Sequence, residues 1–392
     1  MRSAVMQGDR DLAATIAASL VLVVGMGVGR FAFTGLYPLM IDEGQLSVSG
    51  GSYAASANYA GYLVGALLAS VRLPLSSRVL CQLAGVATML TLAALGFDLP
   101  SWAIIAVRGI SGAFSAIAMV AASHWLIHDR HQHHAAPTLY AGVGLGILIS
   151  AEAIALGSVA ELGSRTIWFG LAGICAALLV SALVMQAGDR RRTQMTRPEQ
   201  ALSGRQGTSL GPWRLILVYG LAGLGYIITA TYLPLLVKTA FPAIGPVQAW
   251  ALFGLAAAPS CFLWHRLHLR LGTSRSLALN LSCQALGVGL PLLHLPIAYL
   301  ASAVFVGGTF MGVVTIAMPA GRHLAHRVRF NMLAIMTASY GSGQIIGPLI
   351  ADELYSLTAS FDISLLVAAF ALFAGAALSW EVRHDTPQPA AS

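Results

Sequence analysis

Long apolar stretches broken by short polar gaps run the length of this chain. Charge-free runs cover 12–29, 44–71, 215–237 and 276–321, the last long enough for two membrane crossings. About 20 apolar residues cross the ~30 Å hydrocarbon layer of a bilayer. The spacing predicts twelve helical spans, at 12–36, 49–71, 76–97, 101–124, 137–160, 166–187, 213–237, 246–265, 274–294, 296–320, 331–354 and 361–380. The gaps between them carry a second pattern. Of the 22 Lys and Arg residues, 18 fall in alternate gaps, and only Arg165 and Lys238 fall in the intervening ones. Acidic residues divide evenly, seven to each set of gaps, with Glu152 inside a span. Basic residues stay on the cytoplasmic side of a membrane whereas acidic ones are largely indifferent. The pattern therefore predicts an even number of crossings with both termini cytoplasmic. Slipping the register by one span would put Arg190, Arg191 and Arg192 outside, against that rule.

Composition agrees with this pattern. Hydrophobic residues make up 57% of the 392 and charged ones 9%, against about 25% charged in a soluble domain. The chain has too little polar surface to face water and reads as a polytopic membrane protein in contact with the lipid bilayer. Its +7 net charge is accounted for by cytoplasmic anchoring, and no basic patch alternates with aromatics as a nucleic-acid groove requires, so nucleic acid is excluded as a partner. Cys81, Cys175, Cys261 and Cys283 lie in apolar runs without metal-binding spacing and read as packed hydrophobes. Arg2 and Arg10 precede an apolar run that continues to Pro38 without a cleavage site, so it reads as the first span rather than a leader. The basic residues are 21 Arg and one Lys, a bias that points to a GC-rich bacterial genome and an inner membrane.

The longest polar stretch, 188–212, sits mid-chain and reads as a cytoplasmic linker between two six-helix bundles, 1–187 and 213–392. The two halves look related. An offset of 196 residues aligns Gly27-Val-Gly29-Arg30 with Gly223-Leu-Gly225-Tyr226, Pro38-Leu39-Met40 with Pro234-Leu235-Leu236, Gly112 with Gly308 and Phe114 with Phe310. An offset of 199 pairs Gly142 and Gly144 with Gly341 and Gly343. A parallel repeat of two such bundles is a transporter architecture, with the substrate site near the midplane between them.

Three ionisable residues fall inside spans: Arg30, Arg108 and Glu152. A charge at the bilayer centre costs ~2.5–3.5 kcal/mol on insertion scales, so such residues face a bundle interior and pair. Their depths predict a shared layer somewhat outside the midplane. One reading pairs Glu152 with one arginine and leaves the other for an anionic substrate group. In another, Glu152 takes up a proton and releases its arginine, coupling transport to the proton gradient. A third is a structural ion pair. Asn58 and Tyr62 share a helix face, as do Tyr226 with Thr229 and Tyr340 with Gln344, and these are candidate cavity-lining groups. Ser111, Gly112 and Ser115 form a small stripe after Arg108 that suits close packing. The runs Gly25–Gly29 and Gly142–Gly146 lack a preceding strand and a Lys-Ser/Thr pair, so they are close-contact surfaces rather than phosphate loops. His124, His128, His131, His133 and His134 gather after span four without zinc spacing and read as a solvated loop. No metal, cofactor or catalytic residue is assigned.

The motif Gly27-Val-Gly29-Arg30-Phe31-Ala32-Phe33-Thr34 with Pro38-Leu39-Met40, followed by Ala57-Asn58-Tyr59-Ala60-Gly61-Tyr62-Leu63-Val64-Gly65, resembles the YbfB/YjiJ group of the major facilitator superfamily. Arg108 with Gly112 resembles that superfamily's span-four arginine-glycine motif, and Gly343-Gln344 with Gly347-Pro348 also fits the group. The resemblance implies an all-α, twelve-span fold working as an alternating-access secondary transporter. It also implies a role in proton coupling for Arg108. The acidic residue usual in the loop after span two is missing from 68–78, and from the equivalent loop at 265–272. A gating salt bridge assigned to it does not carry over. The expectation is a monomeric, proton-coupled transporter of a small organic solute, either an organic anion or an amphipathic drug-like compound. A polytopic membrane enzyme would need clustered catalytic groups at one face, and a membrane sensor would need a sizeable soluble domain. Only the His124–His134 loop offers such a cluster, with no partner carboxylate beyond Asp129, and no gap between spans exceeds about 25 residues, so both stand as alternative readings behind the transporter.

Overall fold

Proline and short polar caps set where the helices begin. The structure, a computed structural model, describes residues 2–70, 75–187, 210–241 and 245–380, and every regular element in them is helical. In order these are α1 (Arg2–Leu22), a π-helical turn (Val23–Val28), α2 (Gly29–Asp42), α3 (Val48–Ser70), α4 (Ser77–Ala94), α5 (Ser101–Ser123), a second π-turn (His124–Asp129), and α6 (Ala136–Val159). They continue with α7 (Ser164–Ala187), α8 (Pro212–Ala240), α9 (Pro246–Gly289), α10 (Pro296–Leu324), α11 (Met332–Thr358) and α12 (Asp362–Ser379). Proline occupies the first turn of α6, α8, α9 and α10, where its missing N–H would have no partner anyway. Ser76 accepts from the Val79 N–H and Asn331 from the Ala334 N–H, capping α4 and α11.

Nine stretches of described helix are long and apolar enough to cross a membrane. One of them, Pro246–Leu293, has 48 residues, about twice what a single crossing needs. It folds back at Gly272, whose φ of 77° and ψ of 176° are open to glycine alone. The sequence places a polar gap at 266–273, yet the first arm stays helical up to that glycine. The first and seventh spans also run past their expected ends at 36 and 237, to Asp42 and Ala240. Lys238 reaches back across to Asp42 and holds these extra turns against each other. α3 and α11 fall outside the nine; their Gly, Ser, Asn and Gln residues, which pack against α5, α8 and each other, lower their apolarity. Residues 188–209 of the expected linker at 188–212, and Arg72, Arg190, Arg191, Arg192, Arg197, Arg205 and Arg383, lie outside the described residues.

Glycines set the closest helix contacts. A methyl group at Gly61 would strike the Gly109 carbonyl, one at Gly65 the Ala113 backbone, and one at Gly112 the Asn58 carbonyl, so α3 and α5 pack backbone to backbone. Gly27 in the π-turn meets Gly146 of α6 in the same way, and Gly144 of α6 meets Ala258 of α9. The two glycine runs read from the sequence as contact surfaces serve that purpose.

Pro38 and Pro234 each remove a helical hydrogen bond and free the carbonyl four residues before them. For Pro234 that carbonyl belongs to Ala230. The Thr34 hydroxyl donates to it at 3.0 Å, which joins α2 to α8 at positions one repeat length apart.

Candidate functional site

A cavity of about 320 Å³ lies between α2, α3 and α5 on one side and α8, α10 and α11 on the other. His124 and His128 beyond α5, Arg322 near the end of α10 and Asn331 at the start of α11 line its mouth. Arg30, Phe31, Tyr226, Phe310 and Gln344 line its interior.

Arg30 follows the Val23–Val28 π-turn, where one extra residue per turn changes the phase of the helix. Its side chain is 3% exposed. The guanidinium carbon lies 4.2 Å from the ring centroid of Tyr62, 5.0 Å from that of Tyr59 and 5.3 Å from that of Phe31. Three aromatic rings thus cage the cation, and desolvated contacts of this kind are worth up to about 2 kcal/mol each. Nε and Nη2 of Arg30 are buried without a hydrogen-bond partner.

Arg108 has a different role. It is 2% exposed; Nη1 donates to the Gly29 carbonyl at 3.1 Å and Nη2 to the Arg30 carbonyl at 2.9 Å. The Ser111 hydroxyl donates to the same Gly29 carbonyl at 3.1 Å, and the Phe33 ring covers the guanidinium at 4.5 Å. The Asn58 amide in turn donates to the Arg108 carbonyl at 2.9 Å. Arg108 therefore fixes the backbone that carries Arg30, while Arg108 and Asn58 stay outside the cavity lining.

The expected carboxylate–arginine pair is not made. Glu152 is exposed on α6, on the same stripe as Leu145 and Leu156, and among the described residues it forms no ion pair. Depth along the helix placed it level with the arginines, but helical phase turns it outward. The opposite face of α6 is committed through Gly142, Gly144 and Gly146 to α1, α9 and the π-turn. Tyr62, Tyr226, Tyr340 and Gln344 do line the cavity. The Gln344 amide nitrogen donates to the Tyr226 hydroxyl, and the other end of that amide is buried and unpaired. Thr229 is buried on α8 but lies off the lining.

Sequence reasoning did not single out Tyr219 and Phe310 as lining residues, although both line the cavity with Tyr226. Tyr219 precedes Tyr226 by seven residues, two turns along one helix face, and that spacing was the available signal. Two histidines expected in a solvated loop, His124 and His128, also line the mouth, their rings 5.1 Å apart. The Nδ1 of His124 lies 3.2 Å from Asp129. Among the described residues, no three metal-ligating side chains gather.

The end opposite the mouth is sealed. Tyr232 of α8 shares a 2.7 Å hydrogen bond with Ser52 of α3 and donates to the Pro348 carbonyl of α11 at 3.1 Å. Tyr59 and Thr231 are bonded at 3.1 Å, and Ser56 donates to the Ile345 carbonyl at 3.0 Å. Lys238 pairs with Asp42 and donates to the Pro38 carbonyl at 3.3 Å.

This arrangement can take a small molecule through the mouth between α5, α10 and α11, with a caged cation inside. Comparison with known proteins agrees with its general character. A family model described as "Uncharacterised MFS-type transporter YbfB" matches residues 22–380. Among solved structures, the crystal structure of the nucleoside transporter NupG is similar with a TM-score of 0.67 at 15% identity, over 94% of this chain and 98% of that one. At that identity the likeness concerns the fold. None of the curated proteins matches this chain in sequence.

Proposed function

The chain belongs to the MFS-type transporter family that YbfB represents, and from that premise we propose a secondary transporter that carries a small organic solute by alternating access. The observation that carries the reading is the one-ended cavity, open between α5, α10 and α11 and sealed opposite by the bonds of Tyr232 and Lys238. An alternating-access carrier requires such a site, exposed to one side at a time. Counting α3 and α11 as crossings, and the two arms of α9 as separate ones, the nine candidate stretches become twelve. The twelve form two six-helix bundles, 1–187 and 213–392, joined by the segment 188–212.

The charge pattern supports cytoplasmic termini and the arginine bias a bacterial inner membrane, so on this reading the open mouth faces the cytoplasm and the conformation is inward-open. We take the working unit to be a monomer and protons to be the coupling ion. Asp352 of α11 supports the proton reading. It is a half-buried carboxylate in the sealed end, where the Ser52 hydroxyl of α3 donates to it at 3.4 Å across the cleft. Moving one charge through the membrane field is worth about 2.3 kcal/mol per 100 mV.

The test is purified protein in liposomes with an imposed pH gradient. Solute accumulation that follows the gradient and collapses with an uncoupler is expected, and accumulation indifferent to every gradient would remove proton coupling.

A further inference from the structure

Tyr219, Tyr340, Tyr226 and Phe310 form a run of nearly parallel rings along one wall of the cavity. Successive centroids lie 4.5, 5.8 and 5.6 Å apart, with interplanar angles of 25°, 22° and 19°. The run ends where Phe310 meets Phe31 edge-on at 5.9 Å, beside Arg30. Methionines 26, 119, 311 and 318 fill much of the remaining lining, and their flexible, polarisable side chains suit contact with a ring face or edge.

The unpaired nitrogens of Arg30, Nε and Nη2, form one edge of the guanidinium plane. That edge presents two parallel N–H groups, the geometry that grips two oxygens of one carboxylate. Leaving a buried donor unmet costs about 1–3 kcal/mol, so an anion seated there gains what the empty site forgoes. Among the described residues, no carboxylate lines the cavity, whereas Arg322, His124 and His128 stand at its mouth. A cationic solute would meet an uncompensated positive charge, and a neutral one would leave Arg30 unmet.

We propose that this cavity binds an organic monoanion with a flat aromatic body. Its anionic oxygens sit on Nε and Nη2 of Arg30, and its ring lies against the wall formed by Tyr226 and Tyr340. The proposal rests on the transporter reading above and names the cargo class. A cavity of about 150 Å³ holds one benzene ring, so this one admits a body of about two fused rings. The unpaired end of the Gln344 amide can meet a polar substituent on that body.

The experiment measures binding of four probes to full-length protein in lipid nanodiscs, by calorimetry and thermal shift. The probes are 2-naphthoate, its neutral isostere 2-naphthamide, the cation 2-naphthylmethylammonium, and the non-aromatic decalin-2-carboxylate. The expected result is 2-naphthoate bound at least tenfold more tightly than each of the other three. Arg30→Gln should bring naphthoate down to the level of the amide, and Tyr340→Leu should erase the preference over decalin carboxylate. Should Arg30→Gln fold poorly, the probe ranking on the unmodified protein still decides the matter. Equal binding of amide and carboxylate, or tightest binding of the ammonium, overturns the proposal. A pair of spin labels at His134→Cys and His326→Cys, read without any probe, separates this from the wider reading. Two distance populations with no naphthoate preference sink the cargo class and leave the transporter standing. One fixed distance, with no gradient-driven uptake of any solute, sinks both.

Discussion

Arg30 and Arg108 are both fully buried arginines, yet the structure gives them opposite tasks. Arg30 lines the cavity with Nε and Nη2 buried and unpaired, while both Nη atoms of Arg108 are spent on the carbonyls of Gly29 and Arg30. Arg108→Lys keeps the charge but loses the planar fork that spans two acceptors. It is expected to lower the thermal midpoint and to raise KM more than it lowers kcat, because Arg30 is displaced rather than removed. A proton-coupling role would instead show as a changed pH profile. Glu152→Leu is expected to leave transport and its pH dependence intact and to raise the melting temperature, since a charged group in an apolar surface costs up to ~2.5–3.5 kcal/mol. Lost uptake in that variant would restore Glu152 to the transport path. The residue types were legible in the sequence, because an arginine inside an apolar run has to be buried and used. Which way each points was not. Helical phase relative to neighbours decides that, and the π-turn at Val23–Val28 shifts the phase just before Arg30 in a way no periodicity reveals.

At the scale of helices, apolar runs and proline starts gave most element ends to within two turns, although α1 starts at Arg2 rather than at Leu12. The extensions of α2, α8 and α9 share a cause. Extra turns on α2 and α8 depend on each other through Asp42 and Lys238, and the helical arm up to Gly272 depends on its packing rather than its composition. Gly272→Ala forces a side chain into a backbone region that costs on the order of 1–3 kcal/mol. It is expected to lower the thermal midpoint by several degrees while leaving ligand ranking unchanged, a combination that differential scanning fluorimetry with and without ligand can read. Gly144→Val would collide with the backbone at Ala258, pushing α6 off the first arm of α9. The expected outcome is a sharp loss of folded protein in size-exclusion profiles. The glycine runs were readable as contact surfaces, although their partners were not, since close approach between helices leaves no mark on either helix alone.

For the whole molecule, the proposed alternating access makes the bonds at the sealed end the contacts that must break for that end to open. Lys238→Asp places two acids together at Asp42 and is expected to favour opening of that end, seen as a longer spin-label distance across it. The double variant Asp42→Lys with Lys238→Asp should bring the distance back, and failure of that rescue would assign the seal to the tyrosine bonds instead. The all-helical, membrane-crossing character was visible in hydropathy, because membrane crossing is dictated by composition. The cavity's aromatic wall was not, because it is assembled from α8, α10 and α11, elements distant in sequence. The repeat also bears on the Asp42–Lys238 contact. These two positions are separated by 196 residues, the same spacing that aligns the halves, so each faces its own counterpart. In an ancestor built from two identical copies, the same amino acid would have met itself at this spot, acid against acid or base against base. On that reading an electrostatic latch here arises by divergence after duplication, available to a single fused chain and denied to a symmetric pair.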